Sequence, residues 1–425
     1  MTGTDWISLV TSVVALLIAV IGLLYQNREL KQKETELKHR IEMDRKEFIE
    51  KYASHENRMR GWLDELSEPP LPPSDVNQAD AGLPYQAGAP IRNMELFYGR
   101  QEQLASVMEC VNGQQMASMS ILGARKSGKT SFFYYIQQVL NPDLYPRVVP
   151  VFLDSQSAIA GDKNFYAYML REASTALDTR SKASARPPDI PKEIDFEILA
   201  TFLEQASKKK WRFVFLLDEF ERLTHDSEIS GEDFFSSLRS LILKGNVSWI
   251  TASFRAVYMP GTNTSPFINI VQETSCLGPL SYQDARLLIS EPAVRAGHPF
   301  EVEDVELILD LAGRMPFILQ KASLLLYKTH RSGILGQFAR RQLINSFRLE
   351  AQTYFQSQFA ILSQKERDAL ILLSSGKDVA DYEPVLNSLE NYGFVERTTE
   401  GFQILGKTFE EHLYQKAKET NPAGS

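Results

Sequence analysis

The stretch Gly123-Ala124-Arg125-Lys126-Ser127-Gly128-Lys129-Thr130 limits what this chain can fold into more than any other. It fits the pattern G-x-x-x-x-G-K-[ST] in full. An apolar run, 116–122, precedes it and a helix-like pattern, 130–140, follows it. Strand, tight loop and helix in that order place a helix N-terminus at the end of a strand. Loop N–H groups and the partial positive charge of the helix then converge on one point, which suits a phosphate anion. Gly123 and Gly128 let the backbone turn inward, and Ala124, Arg125, Lys126, Ser127 and Ser131 complete the cradle. Lys129 is placed to reach the β- and γ-phosphates of a nucleotide and to assist transfer. The Thr130 hydroxyl is placed to bind Mg²⁺. ATP or ADP with Mg²⁺ is therefore the expected ligand.

The surrounding pattern supplies the sheet such a loop needs. Apolar runs at 116–122, 148–153, 213–217 and 247–252 alternate with helical patterns at 130–140, 165–177, 196–208 and 234–243. Strands separated by helices predict a parallel sheet covered on both faces, an α/β fold. The run 213–217 ends in Asp218-Glu219. Asp218 is expected to hold the Mg²⁺ shell and Glu219 to orient or deprotonate the attacking water. Beyond 247–252, Ser253 or Arg255 could face the γ-phosphate. Ordinary solvation of a strand end accounts for them equally well.

Trp6 to Tyr25 is a run of 20 residues without a charge. It is long enough to cross the ~30 Å hydrocarbon core as a helix. A cleaved signal peptide fits less well. Met1 to Asp5 carries no Lys or Arg, the apolar run is too long for an h-region, and no small-residue cleavage site follows. Arg28, Lys31, Lys33, Lys38 and Arg40 come next, so the N-terminus is expected outside and the rest in the cytoplasm. Residues 26–66 repeat apolar positions at helical steps, with ten Lys or Arg balanced by ten Asp or Glu. This predicts a long amphipathic helix, coiled-coil-like and about 60 Å long, that either dimerises or spaces the body from the membrane. Residues 67–93, rich in Pro, Gly, Ala and Asp, are expected to be a linker, largely disordered.

After 280 the pattern turns helical, at 281–290, 302–313, 316–330 and 338–358. The last part predicts helices 365–373 and 384–392, strands 394–397 and 402–405, and helix 408–414. That order suggests a winged helix. The expected organisation is a nucleotide domain at 94–276, a helical lid at 277–359, a winged helix at 360–415 and a tail at 416–425. Net charge is −8, which argues against a protein built chiefly to hold nucleic acid. The helix that would enter a DNA groove, 383–392, has two Glu and no Lys or Arg. The two cysteines and six histidines lack metal-ligand spacing.

The order of these pieces resembles the STAND branch of AAA+-related P-loop ATPases. Gly99-Arg100 looks like the Gly-Arg segment that precedes the phosphate loop in that family. Leu277-Gly-Pro-Leu280 leads into the lid, and Gly313-Arg-Met-Pro316 looks like the lid's GxP motif with one extra residue. The resemblance covers about residues 96–415. It implies that Gly99 and Arg100 lie near the base and Pro316 near the nucleotide. It also implies a slow, regulatory ATPase that switches between a closed ADP form and an open ATP form, often assembling into homo-oligomers in signal transduction. The histidine that senses ADP in many members has no counterpart in Ile404-Leu-Gly-Lys407. An input domain is expected from a protein partner. A single anchor with such a head points to the inner or plasma membrane of a prokaryote. Two other readings share the order: an origin-recognition-like ATPase that binds DNA through its winged helix, and an AAA+ remodelling motor.

Overall fold

The structure, a computed structural model, describes residues 83–113, 116–155, 161–181, 190–225, 229, 231–257 and 271–420. The expected membrane span at 6–25 and the amphipathic helix at 26–66 lie outside them. Among the described residues no helix is long and apolar enough to cross a membrane.

Five parallel strands form one sheet in the order β2-β3-β4-β1-β5. They are β1 (Ser118–Leu122), β2 (Val148–Asp154), β3 (Arg212–Asp218), β4 (Val247–Ser253) and β5 (Val271–Cys276). Side chains alternate across a strand, and β3 shows the consequence. Phe213, Phe215 and Leu217 join one core with Trp249 and the helices α3 (Asp162–Ser181), α4 (Phe196–Lys208) and α6 (Glu232–Gly245). Val214 and Leu216 join another with α1 (Gln101–Asn112) and α2 (Lys129–Val139). Rings of Phe215 and Trp249 stack at 4.9 Å across neighbouring strands. The polar residues of buried β4 are paired, as burial demands: Thr251 and Ser120 share a hydroxyl hydrogen bond at 3.1 Å.

Strand β5 was not anticipated. Its sequence, Val-Gln-Glu-Thr-Ser-Cys, has few apolar residues because among the described residues it is an edge strand, paired with β1 alone. The short helix α5 (Glu221–His225) was also missed. The described part of the expected linker, 83–93, lies against the globular body. Tyr85 is buried, donates to the Ile289 carbonyl, and packs on Phe300 and Tyr327. The Ile91 N–H bonds the Ser131 hydroxyl at 2.9 Å. Composition alone hid this, because one aromatic ring and backbone groups do the anchoring.

The lid comprises α7 (Tyr282–Arg295), α8 (Val302–Ala312), α9 (Pro316–Arg331) and α10 (Gly336–Ala360). Pro316 opens α9 at a first-turn position, where its missing N–H costs nothing. The winged helix follows as α11 (Gln364–Ser374), α12 (Glu383–Asn391), the antiparallel pair β6 (Val395–Thr398) and β7 (Gly401–Ile404), and α13 (Lys407–Thr420). A Ser363–Glu366 capping box starts α11. Lid and winged helix do not form separate cores. One cluster runs from Leu122 and Ala124 beside the phosphate loop, through Met315 and Phe355 of the lid, to Leu389, Phe394 and Phe409 of the winged helix.

Candidate nucleotide site

The C-terminal ends of β1, β3 and β4 meet around a cleft of about 510 Å³. Its walls include Arg125 to Ser131, Asp218, Glu219 and Glu221. Arg100 and the strap 86–91 border it too, as do Pro316, Phe317 and Gln320 from the lid. The parallel register sets Asp218 of β3 near the start of α2, as α/β sheets place ligands at strand C-termini.

Lys129 is part-buried, and its Nζ turns back on its own loop. It donates to the carbonyls of Gly123 at 2.7 Å and Ala124 at 3.0 Å. Burial lowers its pKa, opposed by the carboxylates of Glu221, Asp218 and Glu219. The Thr130 hydroxyl donates to Asp218 Oδ2 at 2.6 Å, and the Glu219 N–H donates to Asp218 Oδ1 at 3.0 Å. Burial raises the Asp218 pKa, while the Thr130 and Glu219 bonds and Lys129 pull the other way. A Cβ on Gly123 would sit 2.5 Å from Ser127 Oγ, so only glycine fits there. Ser127 Oγ is itself buried with no partner among the described residues.

These groups suit a phosphorylated, Mg²⁺-bound nucleotide. A desolvated ammonium held only by carbonyls of its own loop, with a buried hydroxyl lacking a partner, gains from a phosphate oxygen. Thr130 and Asp218 present the hard oxygens Mg²⁺ prefers.

Arg100 is buried, with burial lowering its pKa to about 10 against the pull of Asp284. It donates to the Gly278 carbonyl at 2.5 Å and ties the segment before the loop to the start of the lid. Gly99 backs onto Asp284 and Leu280 rather than the cleft. The Ser253 carbonyl accepts the Gly123 N–H at 3.2 Å, and its hydroxyl donates to the Arg255 carbonyl at 2.6 Å. Neither the Ser253 nor the Arg255 side chain lines the cleft; Phe254, between them, does. Arg255 instead donates to Glu366 of the winged helix at 2.7 Å. Glu219 sits at φ 51 and pairs with Arg222.

Three contributors escaped sequence reasoning. Glu221 is the carboxylate that most supports the Lys129 charge, and its place three residues after Asp218 on α5 was the available signal. Phe317 follows Pro316, and Lys126 lies over its ring at 5.4 Å. The strap gave no signal. Its Gly88 carbonyl accepts from Lys126 at 3.2 Å, and its Gln86 N–H bonds Gln320 at 2.8 Å.

Sheet order, phosphate loop, acidic strand end, helical lid and winged helix define a P-loop NTPase of the STAND/AAA+ type. Residues 88–346 match the family described as Novel STAND NTPase 1, and the chain belongs to that family. No curated protein matches the chain in sequence. Among solved structures, the Walker-type ATPase PABY2304 of Pyrococcus abyssi is similar in fold, with a TM-score of 0.56 at 14% identity over 76% of this chain and 98% of that one. The Aeropyrum pernix ORC2 protein aligns with a TM-score of 0.47 at 13% identity over 75% of this chain and 93% of its own. The Thermotoga maritima RuvB branch migration motor aligns with 0.42 at 15% identity over 76% and 97%.

Proposed function

We propose that this chain is a membrane-anchored ATPase whose bound nucleotide, ATP or ADP, sets whether its winged helix is docked, so that it acts as a molecular switch in signal transduction. The observation that carries this reading is the single core joining the phosphate loop, the lid and the winged helix. A winged helix built into the same core as the loop that holds phosphate is suited to report on what that loop holds. Polar contacts reinforce the docking. Gln358 donates to the Arg125 carbonyl of the loop at 3.2 Å, and Arg314 pairs with Glu396 at 2.8 Å.

In this reading Lys129 leaves its loop carbonyls for the β- and γ-phosphates. Thr130 and Asp218 hold Mg²⁺, which when bound neutralises charge on the transferring phosphate. Glu219 or Glu221 takes the proton of the attacking water. Docking of α12 also speaks against a DNA reader. Its C-terminal carbonyl, on Asn391, closes on Gly278, and Arg397 of the wing is engaged with Asn387 and Glu383. The apolar stretch 6–25 would anchor the chain to a prokaryotic inner or plasma membrane with the ATPase in the cytoplasm. Undocking would free surfaces for a partner protein or for homo-oligomers.

The test is mass photometry of the full chain with ADP and with a non-hydrolysable ATP analogue, alongside phosphate release from ATP. Slow ATP turnover and an analogue-dependent change in assembly support the switch. The same mass with both nucleotides and tight, sequence-selective binding to duplex DNA would replace it with the origin-recognition-like reading.

A further inference from the structure

Large apolar side chains left in water gather at one place on the lid. Ile334, Leu335 and Phe338 are 38%, 61% and 78% exposed. Nowhere else among the described residues do exposed large apolar side chains come within five positions of one another. They lie on the turn from α9 to α10 and on the first turn of α10. This turn is fixed by its own bonds. The Gly333 N–H bonds the His330 carbonyl at 2.9 Å, the Ile334 N–H bonds the Thr329 carbonyl at 3.3 Å, and the Ser332 hydroxyl donates to the Thr329 carbonyl at 2.7 Å. Ala339 and Leu343 of α10 join the lid core, while Phe338, one position earlier, is directed to solvent.

Cations surround this apolar tip. Lys328 and Arg331 on the last turn of α9 and Arg341 on α10 are exposed and pair with no carboxylate among the described residues. The chain as a whole carries −8, so three cations without ion partners beside three exposed apolar residues reverse its sign locally. Arg340 serves a different purpose. It bonds Asp304 at 2.7 Å and pairs with Glu301 and, at 3.6 Å, with Glu303, which occupies the carboxylates at the start of α8. The described chain also enters the body beside this helix end. Leu83 is exposed, and Tyr85 packs on Tyr327, one turn before Arg331, with ring centroids 6.2 Å apart. The residues that lead from the apolar stretch 6–25 therefore join the body at the end of α9 that carries the tip.

We propose that this tip docks on the anionic lipid surface of the membrane in which the chain is anchored. Ile334, Leu335 and Phe338 enter the headgroup boundary, and Lys328, Arg331 and Arg341 meet the negative lipid headgroups. The inference rests on the membrane anchoring in the reading above and adds a second contact, made by the lid. Burying the apolar tip and neutralising the basic collar are each weak, and they act together on one surface. By itself the tip is a reversible contact that washes off. Tethering through residues 1–82 raises its effective concentration at the bilayer. A second copy of the chain would cover the apolar residues too. The cations without ion partners favour lipid, because an anionic surface satisfies both halves of the patch.

The test reads hydrogen exchange of the backbone amides at 332–338 in the full chain, in detergent and in phosphatidylcholine nanodiscs with and without phosphatidylserine. The first N–H groups of α10 have no carbonyl partner within the helix, so they exchange fast unless covered. Nanodiscs with phosphatidylserine should slow exchange at 332–338 on the order of tenfold relative to detergent and leave the exposed wing turn at 399–401 unchanged. Leu335→Ser with Phe338→Ser should lose the protection. So should the reversal Lys328→Glu, Arg331→Glu and Arg341→Glu. The thermal transition should stay in place in both, since all five side chains are exposed. Equal exchange in detergent and in phosphatidylserine nanodiscs would overturn the proposal. Protection that appears in detergent and grows with protein concentration would assign the face to a second copy instead. Protection that needs no phosphatidylserine and survives the charge reversal would remove the anionic lipid. If the full chain stays soluble without detergent, the anchoring reading fails by itself. Sedimentation with phosphatidylserine vesicles at millimolar lipid then decides the tip: binding that the two serines remove supports it, and no binding overturns it.

Discussion

At the scale of single residues, the phosphate loop holds its lysine in a waiting position. Lys129 is desolvated and bonded to carbonyls of its own loop. Those bonds satisfy it without neutralising it, so the free energy of bringing a phosphate in is favourable. Lys129→Ala should therefore abolish binding of a fluorescent ATP analogue while the thermal transition of the domain stays in place. Retained affinity would mean that backbone N–H groups alone carry the phosphates. The choice of base is a second question at this scale. Replacing the true base by glutamine should slow single-turnover hydrolysis by ~10²–10⁴-fold and leave binding intact. The larger loss is expected in Glu219→Gln, next to Asp218 at the end of β3. A large loss in Glu221→Gln alone would move the role to the carboxylate three residues after Asp218.

Among the elements, α12 comes close to the start of the lid. A Cβ at Gly278 would lie 2.7 Å from the Asn391 carbonyl oxygen, too near for any side chain. Backbone cannot yield as a flexible side chain can, so Gly278→Ala should push the winged helix away. The expected result is faster release of fluorescent ADP in stopped flow, with the sheet still folded by circular dichroism. Unchanged release would show that docking and nucleotide retention are independent. Leu386 and Leu389 of α12 face the shared core, and the helix end faces its own domain.

For the whole molecule, the expectation to examine is the anchor. The charge step after Tyr25 and the uncharged 20-residue run motivate it. Deleting residues 1–26 should move the chain from the membrane pellet to the supernatant. A reporter fused after Ser425 should be cytoplasmic, and finding it outside would remove the chain from its ATP supply.

The sequence by itself determined the phosphate loop, the acidic strand end and most helices, because each is a local pattern. Glycine and lysine spacing, continuous apolar runs and apolar positions at helical steps are written in neighbouring residues. It also predicted the four helices that follow the sheet and the helix–helix–ribbon–helix order that ends the described residues. Edge strand β5 was illegible because an edge needs little apolar surface and its pairing with β1 is made across the sheet. The strap 83–93 was illegible because its hold comes from one buried tyrosine and backbone bonds to distant residues. The partner of Arg255 could not be read either. Glu366 lies 111 residues away in the chain, and only the docking of the winged helix brings that carboxylate to the end of β4. Local chemistry follows from the amino acids in a window. Which charges meet, and what is buried between them, is decided by packing of elements far apart in the chain, which buries more apolar surface than any one element can alone.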